Sequence, residues 1–286
     1  GYQKSSTMFD ISRKKDAAYA LVIFLLFCIP ALLSWNSKTQ LGAIIESGSL
    51  KLVTRNSPNT YFIEKGVPVG FEYDLAKAYA EHIGVKLELV LPDDFSGIFS
   101  TMKQRDGHIA GAMLTITPER QETFEFSEPY LSTTTTLVYR KIQGEKPPKN
   151  IPELIAKKKR LVVLANSSHA ELLKTLKQKY SDLSWEETEE YSSVELLEKV
   201  HNKEIDYTIT DAVAFDGQAS FFPGLYKAFD LDQPQPLAWM LSPHNDQSLR
   251  DSINRFMTQD STQQLINELK EKYFNRNNPL NFYDTA

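Results

Sequence analysis

The sequence predicts an α/β protein of two lobes, with parallel or mixed sheets flanked by helices and a hinge of two strands. Three observations carry this expectation. Strand and helix patterns alternate from about residue 50 onward. The same order begins again after residue 150. Two extended crossings, at residues 130–134 (entering the run Thr133 to Thr136) and 233–236 (Gln-Pro-Gln-Pro), lie where a chain would leave one lobe and return to it. Two strands joining two lobes make a hinge, with a ligand site in the cleft between them.

Each element has its own local signal. Residues 50–54 form a short apolar run that reads as a strand. Leu75, Tyr79 and Ile83 fall at i, i+4 and i+8, so 73–83 reads as a helix, with Gly84 as its stop. Val85, Leu87, Leu89 and Leu91 alternate with Lys86 and Glu88, which is strand periodicity. Residues 109–116 and 135–139 read as further strands. Beyond 150 come a helix at 151–158, a strand at 161–165, helices at 169–180 and 193–201, and a strand at 207–210. An apolar strand is expected at 237–241. The tail is helical, with Leu249, Ile253, Phe256 and Met257 on one face, then Leu265, Ile266, Leu269 and Tyr273. The first lobe is expected over 41–132 plus 236–274 and the second over 133–235.

Composition narrows the function. The chain has 286 residues, 41% hydrophobic and 24% charged, as an ordinary globular protein does. A formal charge of −5 argues against a nucleic-acid partner, which needs a basic footprint. A single cysteine, Cys28, excludes an internal disulfide and a cysteine zinc cage. Met8 reads as a natural start. Arg13, Lys14 and Lys15 precede an uncharged run at 17–35, long enough at about 1.5 Å per residue to cross a bilayer core. Charge before the run places the amino end in the cytoplasm and exports the chain beyond it. Residues 1–35 are therefore expected as a targeting segment and uncleaved membrane anchor. They hold four basic groups and two acidic ones, so the exported remainder carries −7.

Enzyme signatures are missing. There is no G-x-S-x-G, no phosphate-binding glycine loop among 12 glycines, and no H-E-x-x-H. The five histidines are isolated from one another in sequence. Glu46-Ser47 has the residue types of a lytic transglycosylase acid but precedes the first strand and lacks a downstream Gly-x-Met-Gln element. The acidic run Glu187, Glu189 and Glu190 reads as a solvated face. No catalytic residue, cofactor or metal is expected in this chain.

The stretch 111–130, GAMLTITPERQETFEFSEPY, resembles the signature of family 3 periplasmic solute-binding proteins for polar amino acids. GFEYDLA at 70–76 is similar to that family's G-F-x-x-D-L-A element, and Ile205-Asp206-Tyr207 with Asp211 is similar to its second-lobe strand. The resemblance spans about 41–274 and implies the two-lobed periplasmic-binding-protein, or Venus flytrap, fold. More narrowly, RNSPNTYF at 55–62 and SSHAE at 167–171 resemble the amino-terminal module of the membrane-bound lytic murein transglycosylase F family. In that family a sensor module of this fold precedes a lysozyme-like catalytic domain. The ending NFYDT resembles the junction before that domain, so 275–286 is expected as a linker towards it.

The resemblance implies that Arg120 holds a ligand carboxylate, with Thr115 as a second donor. A guanidinium suits this role because its planar fork makes two parallel charge-assisted bonds. Met113 stands where the family often has glycine, and a side chain there would crowd the carboxylate or alter the backbone approach. Asp211 would meet a ligand ammonium, or else cap the helix beginning near Ala212. Tyr61 and Phe95 match positions where rings sandwich the ligand, with core burial as the other reading. Asn166, Ser167 and Ser168 replace a G-T-T-like turn at a helix start, where free N–H groups suit an anion. His169 is expected as a plain surface histidine. The resemblance leaves two functions: a sensor that passes closure over a cell-wall peptide or amino acid to a transglycosylase domain, or a membrane-tethered binding protein serving an amino-acid importer. Both lie on the periplasmic face of the cell envelope.

Overall fold

A computed structural model describes residues 15–24 and 38–274. Residues 15–24 are helical and exposed. Residues 1–14 and 25–35 of the expected anchor segment, and the expected linker, 275–286, lie outside the described residues. No helix among the described residues is long and apolar enough to cross a membrane.

The first lobe opens with a helix, Gln40–Ser47, capped by the Thr39 side chain and stopped by left-handed Gly48. Strand β1 (Ser49–Val53) comes next, then the hairpin β2 (Phe62–Glu64) and β3 (Val67–Val69). Helix Phe71–Ile83 buries Leu75, Ala76, Tyr79 and Ala80 and ends at left-handed Gly84. It leads to β4 (Lys86–Val90), helix Phe95–Lys103, β5 (Ile109–Ala110) and β6 (Glu125–Phe126). The chain leaves through β7 (Leu131–Thr133). The second lobe holds β8 (Thr135–Arg140), β9 (Val162–Leu164), β10 (Glu186–Thr188), β11 (Tyr207–Asp211) and β12 (Leu225–Asp230). β13 (Gln235–Leu237) carries the chain back to β14 (Met240–Leu241).

The first sheet has the order β4-β1-β5-β14-β6, with β1 parallel to β4 and β5 and β14 antiparallel to its neighbours. In the second lobe β8 lies antiparallel between β11 and β12, and β9 runs parallel to β10. The fold is thus two-lobed α/β with mixed sheets. β7 and β13 pair antiparallel, Thr133 with Gln235 and Leu131 with Leu237, so the two crossings lie side by side. Pro236 is tolerated because this ladder has only two strands.

Two expected strands differ from those observed. The run 109–116 is a strand only at Ile109–Ala110, because Met113 takes a left-handed φ of 56° and turns the backbone away from the sheet. The run 237–241 is split at Ala238-Trp239, where the chain changes partners from β7 to β5 and β6. Fully buried Trp239 anchors that change, its backbone N–H donating to Ser127 Oγ at 3.1 Å. The helices Gln40–Ser47 and Phe95–Lys103, the β2–β3 hairpin and β12 are not anticipated by periodicity.

Gly70 joins the hairpin to helix Phe71–Ile83. Its φ is +137°, and a Cβ there would lie 2.3 Å from the Thr60 carbonyl oxygen. Gly70→Ala is expected to destabilise the fold by about 1–3 kcal/mol through backbone strain. Urea denaturation measures this, and an unchanged midpoint would show that the turn relaxes freely.

Candidate ligand-binding cleft

A cleft between the lobes has two chambers that share part of their lining. The inner one, about 110 Å³, is lined from the first lobe by Arg55 to Ser57, Asn59, Thr60, Phe95, Met113 and Arg120. The second lobe contributes Leu164, Ser167 to His169, Ser192 to Val194, Asp211 and Gln218. The outer chamber, about 500 Å³, is bordered by Arg55, Asp93, Asp94, Phe95, Glu189, Glu190, Ser192 and Glu195.

Arg120 sits in a single helical turn, Pro118–Gln121, whose start is fixed by Thr117 Oγ1 accepting from the Arg120 N–H at 3.2 Å. The residue is 6% exposed, and its guanidinium donates one bond, from Nη1 to the Thr115 carbonyl at 2.7 Å. The Phe99 ring centroid lies 5.0 Å from Cζ. Among the described residues it forms no ion pair. Burial lowers its pKa, while Glu171, Asp211 and Glu119 act in the opposite direction. A buried cation with one neutral partner, on the wall of a cavity, is suited to receive an anion.

Asp211 closes β11 and stands at the N-cap of helix Ala212–Gln218, but its carboxylate makes no capping bond. Oδ1 instead lies 3.1 Å from His169 Nε2. Both side chains are mostly buried, at 12% and 13% exposed, so His169 is no plain surface histidine. The sequence hides this contact because the two residues are 42 positions apart and meet only when β11 packs beside the helix Ser168–Lys179. Ser167 caps that helix: its Oγ accepts from Ala170 N at 3.1 Å and donates to the Leu164 carbonyl at 2.6 Å. Its hydroxyl is thereby used, and the N–H groups preceding Ala170 in the first turn lack intrahelical acceptors. Ser168 also lines the inner chamber. Asn166, at φ 59°, reaches across the lobes to Ser96 Oγ at 3.3 Å and also bonds Glu189 at 3.0 Å.

The cavity brings together Arg120, Asp211, Phe95, Ser167 and Ser168. Phe95 packs against the cores of both lobes. Tyr61 and Thr115 do not line either chamber. Tyr61 is buried with its ring 5.8 Å from that of Tyr73. Thr115 supports Arg120 through its backbone carbonyl. Glu46 lies in the first helix, exposed and paired with Lys38, unlike a buried acid. Among the described residues no cluster of His, Cys, Asp and Glu could hold a metal ion.

Met113 is among the residues that line the inner chamber, and its N–H donates to Glu72 Oε1 at 3.1 Å. Glu72 is fully buried and also accepts from Trp239 Nε1, at 2.8 Å, and from the Tyr130 hydroxyl. Burial pushes its carboxyl above the usual carboxylate range, against the pull of the three donors. The Tyr130 phenol is pushed well above its ordinary value by burial and by Glu72, so it stays protonated and donates. In sequence Glu72 is only a variable position of a motif; a charged residue on the buried face of an amphipathic helix is the available signal.

Comparison with known proteins agrees with the two-lobed fold. The chain is 38% identical over 252 residues to the membrane-bound lytic murein transglycosylase F of Saccharophagus degradans, covering 87% of this chain and 50% of that protein. It is 37% identical over 228 residues to the same enzyme of Ectopseudomonas mendocina, covering 79% and 46%. The chain thus spans about half the length of the curated relatives it matches. Among solved structures, an ancestral arginine-binding protein bound to arginine superposes with a TM-score of 0.69 at 25% identity, covering 79% of this chain and 98% of that one. An amino acid ABC transporter substrate-binding protein from Streptococcus pneumoniae bound to L-arginine gives a TM-score of 0.70 at 20% identity, covering 82% and 97%. Residues 50–276 match the model of the bacterial extracellular solute-binding proteins, family 3, and the chain belongs to that family.

Proposed function

We propose that this chain is the ligand-sensing module of a membrane-bound lytic murein transglycosylase. It binds a carboxylate-bearing cell-wall peptide or amino acid between its lobes and couples closure to peptidoglycan cleavage by a further domain. Attachment is through the apolar run at 17–35, on the periplasmic face of the envelope. The observation that carries the reading is Arg120, a buried guanidinium on the cavity wall with a single neutral hydrogen-bond acceptor. The ligand carboxylate is held by Arg120, its amino group by Asp211 as oriented by His169, and its apolar part against Phe95. The outer chamber favours a peptide over a free amino acid, since about 500 Å³ extends beyond the Arg120–Asp211 pair.

The route we propose for coupling is helix Ala212–Gln218, which begins beside Asp211 and touches both lobes. Val213 packs against the core of the first lobe and Phe215 lies within that of the second. Asn59 Nδ2 donates to the Ala214 carbonyl at 3.2 Å. Gly217 is packed so closely that a Cβ would lie 2.8 Å from the carbonyl oxygen of Tyr273, near the end of the last described helix. Differential binding to the closed form drives such a shift.

Calorimetry of this chain with wall peptides and free amino acids, together with turnover of peptidoglycan by the full-length protein with and without the tightest binder, tests the proposal. Binding that leaves turnover unchanged would remove the coupling and favour the importer reading, in which a permease partner is expected.

A further inference from the structure

A third cavity, about 280 Å³, is bordered by both lobes, and Arg120 is among the residues that line both it and the inner chamber. The first lobe gives it Glu119 and Arg120 from the turn Pro118–Gln121, with Ser96 and Phe99 from helix Phe95–Lys103. The second lobe gives Asn166 and, from the first turn of helix Ser168–Lys179, Glu171. Asn166 ties the lobes together here through Ser96 Oγ. Glu171 makes a second tie: its carboxyl lies within hydrogen-bonding reach of the Glu119 carboxyl and of the Thr117 hydroxyl. Thr117 Oγ1 accepts from the Arg120 N–H, and its own hydrogen goes to Glu171. Glu119 has no such hydrogen to give. Two ionised carboxylates are acceptors only and repel each other, so a bond between them needs one proton. Burial and the contact with Glu119 push the Glu171 carboxyl above its ordinary value, against the pull of Arg120 and Thr117. No other titratable side chain borders this cavity among the described residues. On the helix of Glu171 itself, His169 is engaged with Asp211, and Lys174 is exposed one turn further on.

We propose that Glu119 and Glu171 form a proton-operated latch: the lobes close with one proton shared between the two carboxyls and part when it leaves to solvent. The latch adds regulation to the cleft, and its consequence for sensing rests on the function proposed above. The two carboxyls meet only while the lobes are together, so the closed form holds the proton more tightly than the open one. Latching is therefore complete below the ordinary glutamate value and is lost as pH rises through the raised value of the closed form. Within that window the closed-to-open ratio falls by up to about tenfold per pH unit, the limit for one proton. A ligand carboxylate on Arg120 adds a third negative charge beside the pair and increases its demand for the proton. Ligand and acid thus act in the same direction.

The test needs no ligand. The chain, grown with isotope-labelled glutamate, is titrated by nuclear magnetic resonance, and its radius of gyration is followed by small-angle X-ray scattering over the same pH range. Circular dichroism establishes that wild type and variants stay folded throughout. One carboxyl signal, missing from Glu171→Gln and so distinct from that of buried Glu72, is expected to titrate above the ordinary range. Its midpoint is expected to fall in Glu119→Gln, where an amide donates to Glu171 at every pH. Wild type is expected to expand as pH rises through the Glu171 midpoint. Glu119→Gln and Glu171→Gln are expected to stay compact across the same range, because the amide N–H takes the place of the proton. A Glu171 carboxyl that titrates in the ordinary range, or a midpoint unmoved by Glu119→Gln, overturns the latch. So does a wild-type radius that is constant across the window, or an expansion that persists in both variants. The carboxylate role of Arg120 stands or falls separately, by calorimetry of Arg120→Ala.

Discussion

Replacing Arg120 with alanine is expected to weaken binding of a carboxylate ligand by about 2–5 kcal/mol, roughly thirtyfold to several thousandfold. The size reflects the group left behind: a ligand carboxylate taken out of water with its bidentate partner gone. Arg120→Lys keeps the charge but not the planar fork and is expected to recover only part of the loss. The same residue is expected to behave in the opposite way for stability. Arg120 is 6% exposed, forms no ion pair among the described residues, and has a pKa lowered by burial. Removing it therefore relieves a desolvation cost, and the thermal midpoint of Arg120→Ala is expected to be unchanged or higher. Calorimetry and thermal unfolding measure the two arms. Unchanged affinity would end the carboxylate role, and a clear drop in midpoint would make Arg120 a structural residue.

Glu72→Gln is expected to destabilise the fold by about 1–3 kcal/mol although it changes only one atom. Glu72 Oε1 receives the Met113 N–H and the Tyr130 hydroxyl, and Oε2 receives Trp239 Nε1–H. A carboxylic acid protonated on Oε2 still accepts from all three, because the carbonyl Oε1 takes the Met113 N–H and the Tyr130 hydroxyl while the hydroxyl oxygen keeps a lone pair for Trp239. An amide nitrogen has no lone pair to offer. Placed at either position it opposes a main-chain or indole N–H, so one buried donor loses its acceptor. Glu72→Ala leaves all three donors and a cavity, and about 3–5 kcal/mol is expected. For a chain this long each kcal/mol moves the midpoint by about 2–4 °C.

The pH dependence has a definite sign. Burial raises the folded-state pKa of Glu72. Its contribution is therefore complete below the unfolded carboxylate value and is lost as pH rises through the raised folded value. The gap between wild type and Glu72→Gln is expected to narrow with rising pH, read from unfolding midpoints across the range above ordinary carboxylate pKa values. A gap that widens would mean that the ionised form is the one the three donors favour. Because Met113 also borders the cavity, both variants are expected to lower ligand affinity along with stability.

Much of this architecture is written in local pattern. Leu75, Tyr79 and Ile83 mark a helix observed at Phe71–Ile83, and alternation from Val85 marks β4. Periodicity fails where tertiary contacts set the conformation: the backbone at Met113 turns on a hydrogen bond to Glu72, and the run after Pro236 breaks where Trp239 enters the core. The short strands and single turns have too few residues to display a period. At the cleft, Arg120 could be chosen from its motif, with a strand before it and Pro118 fixing the turn. Thr115 could not be assigned an atom, and it contributes its carbonyl to Arg120.

The sequence by itself determined that the protein is a two-lobed α/β chain with paired crossings, and its motif singled out Arg120. Each of these rests on residues near one another along the chain, where spacing is geometry. The tertiary structure alone decided which distant groups meet. His169 and Asp211 are 42 residues apart, and Glu72 and Trp239 are 167 apart. It also decided which buried charge forms no ion pair among the described residues, Arg120 above all. A charge is satisfied or left for a ligand according to the groups packed beside it, and that is settled only when the lobes come together around the cleft.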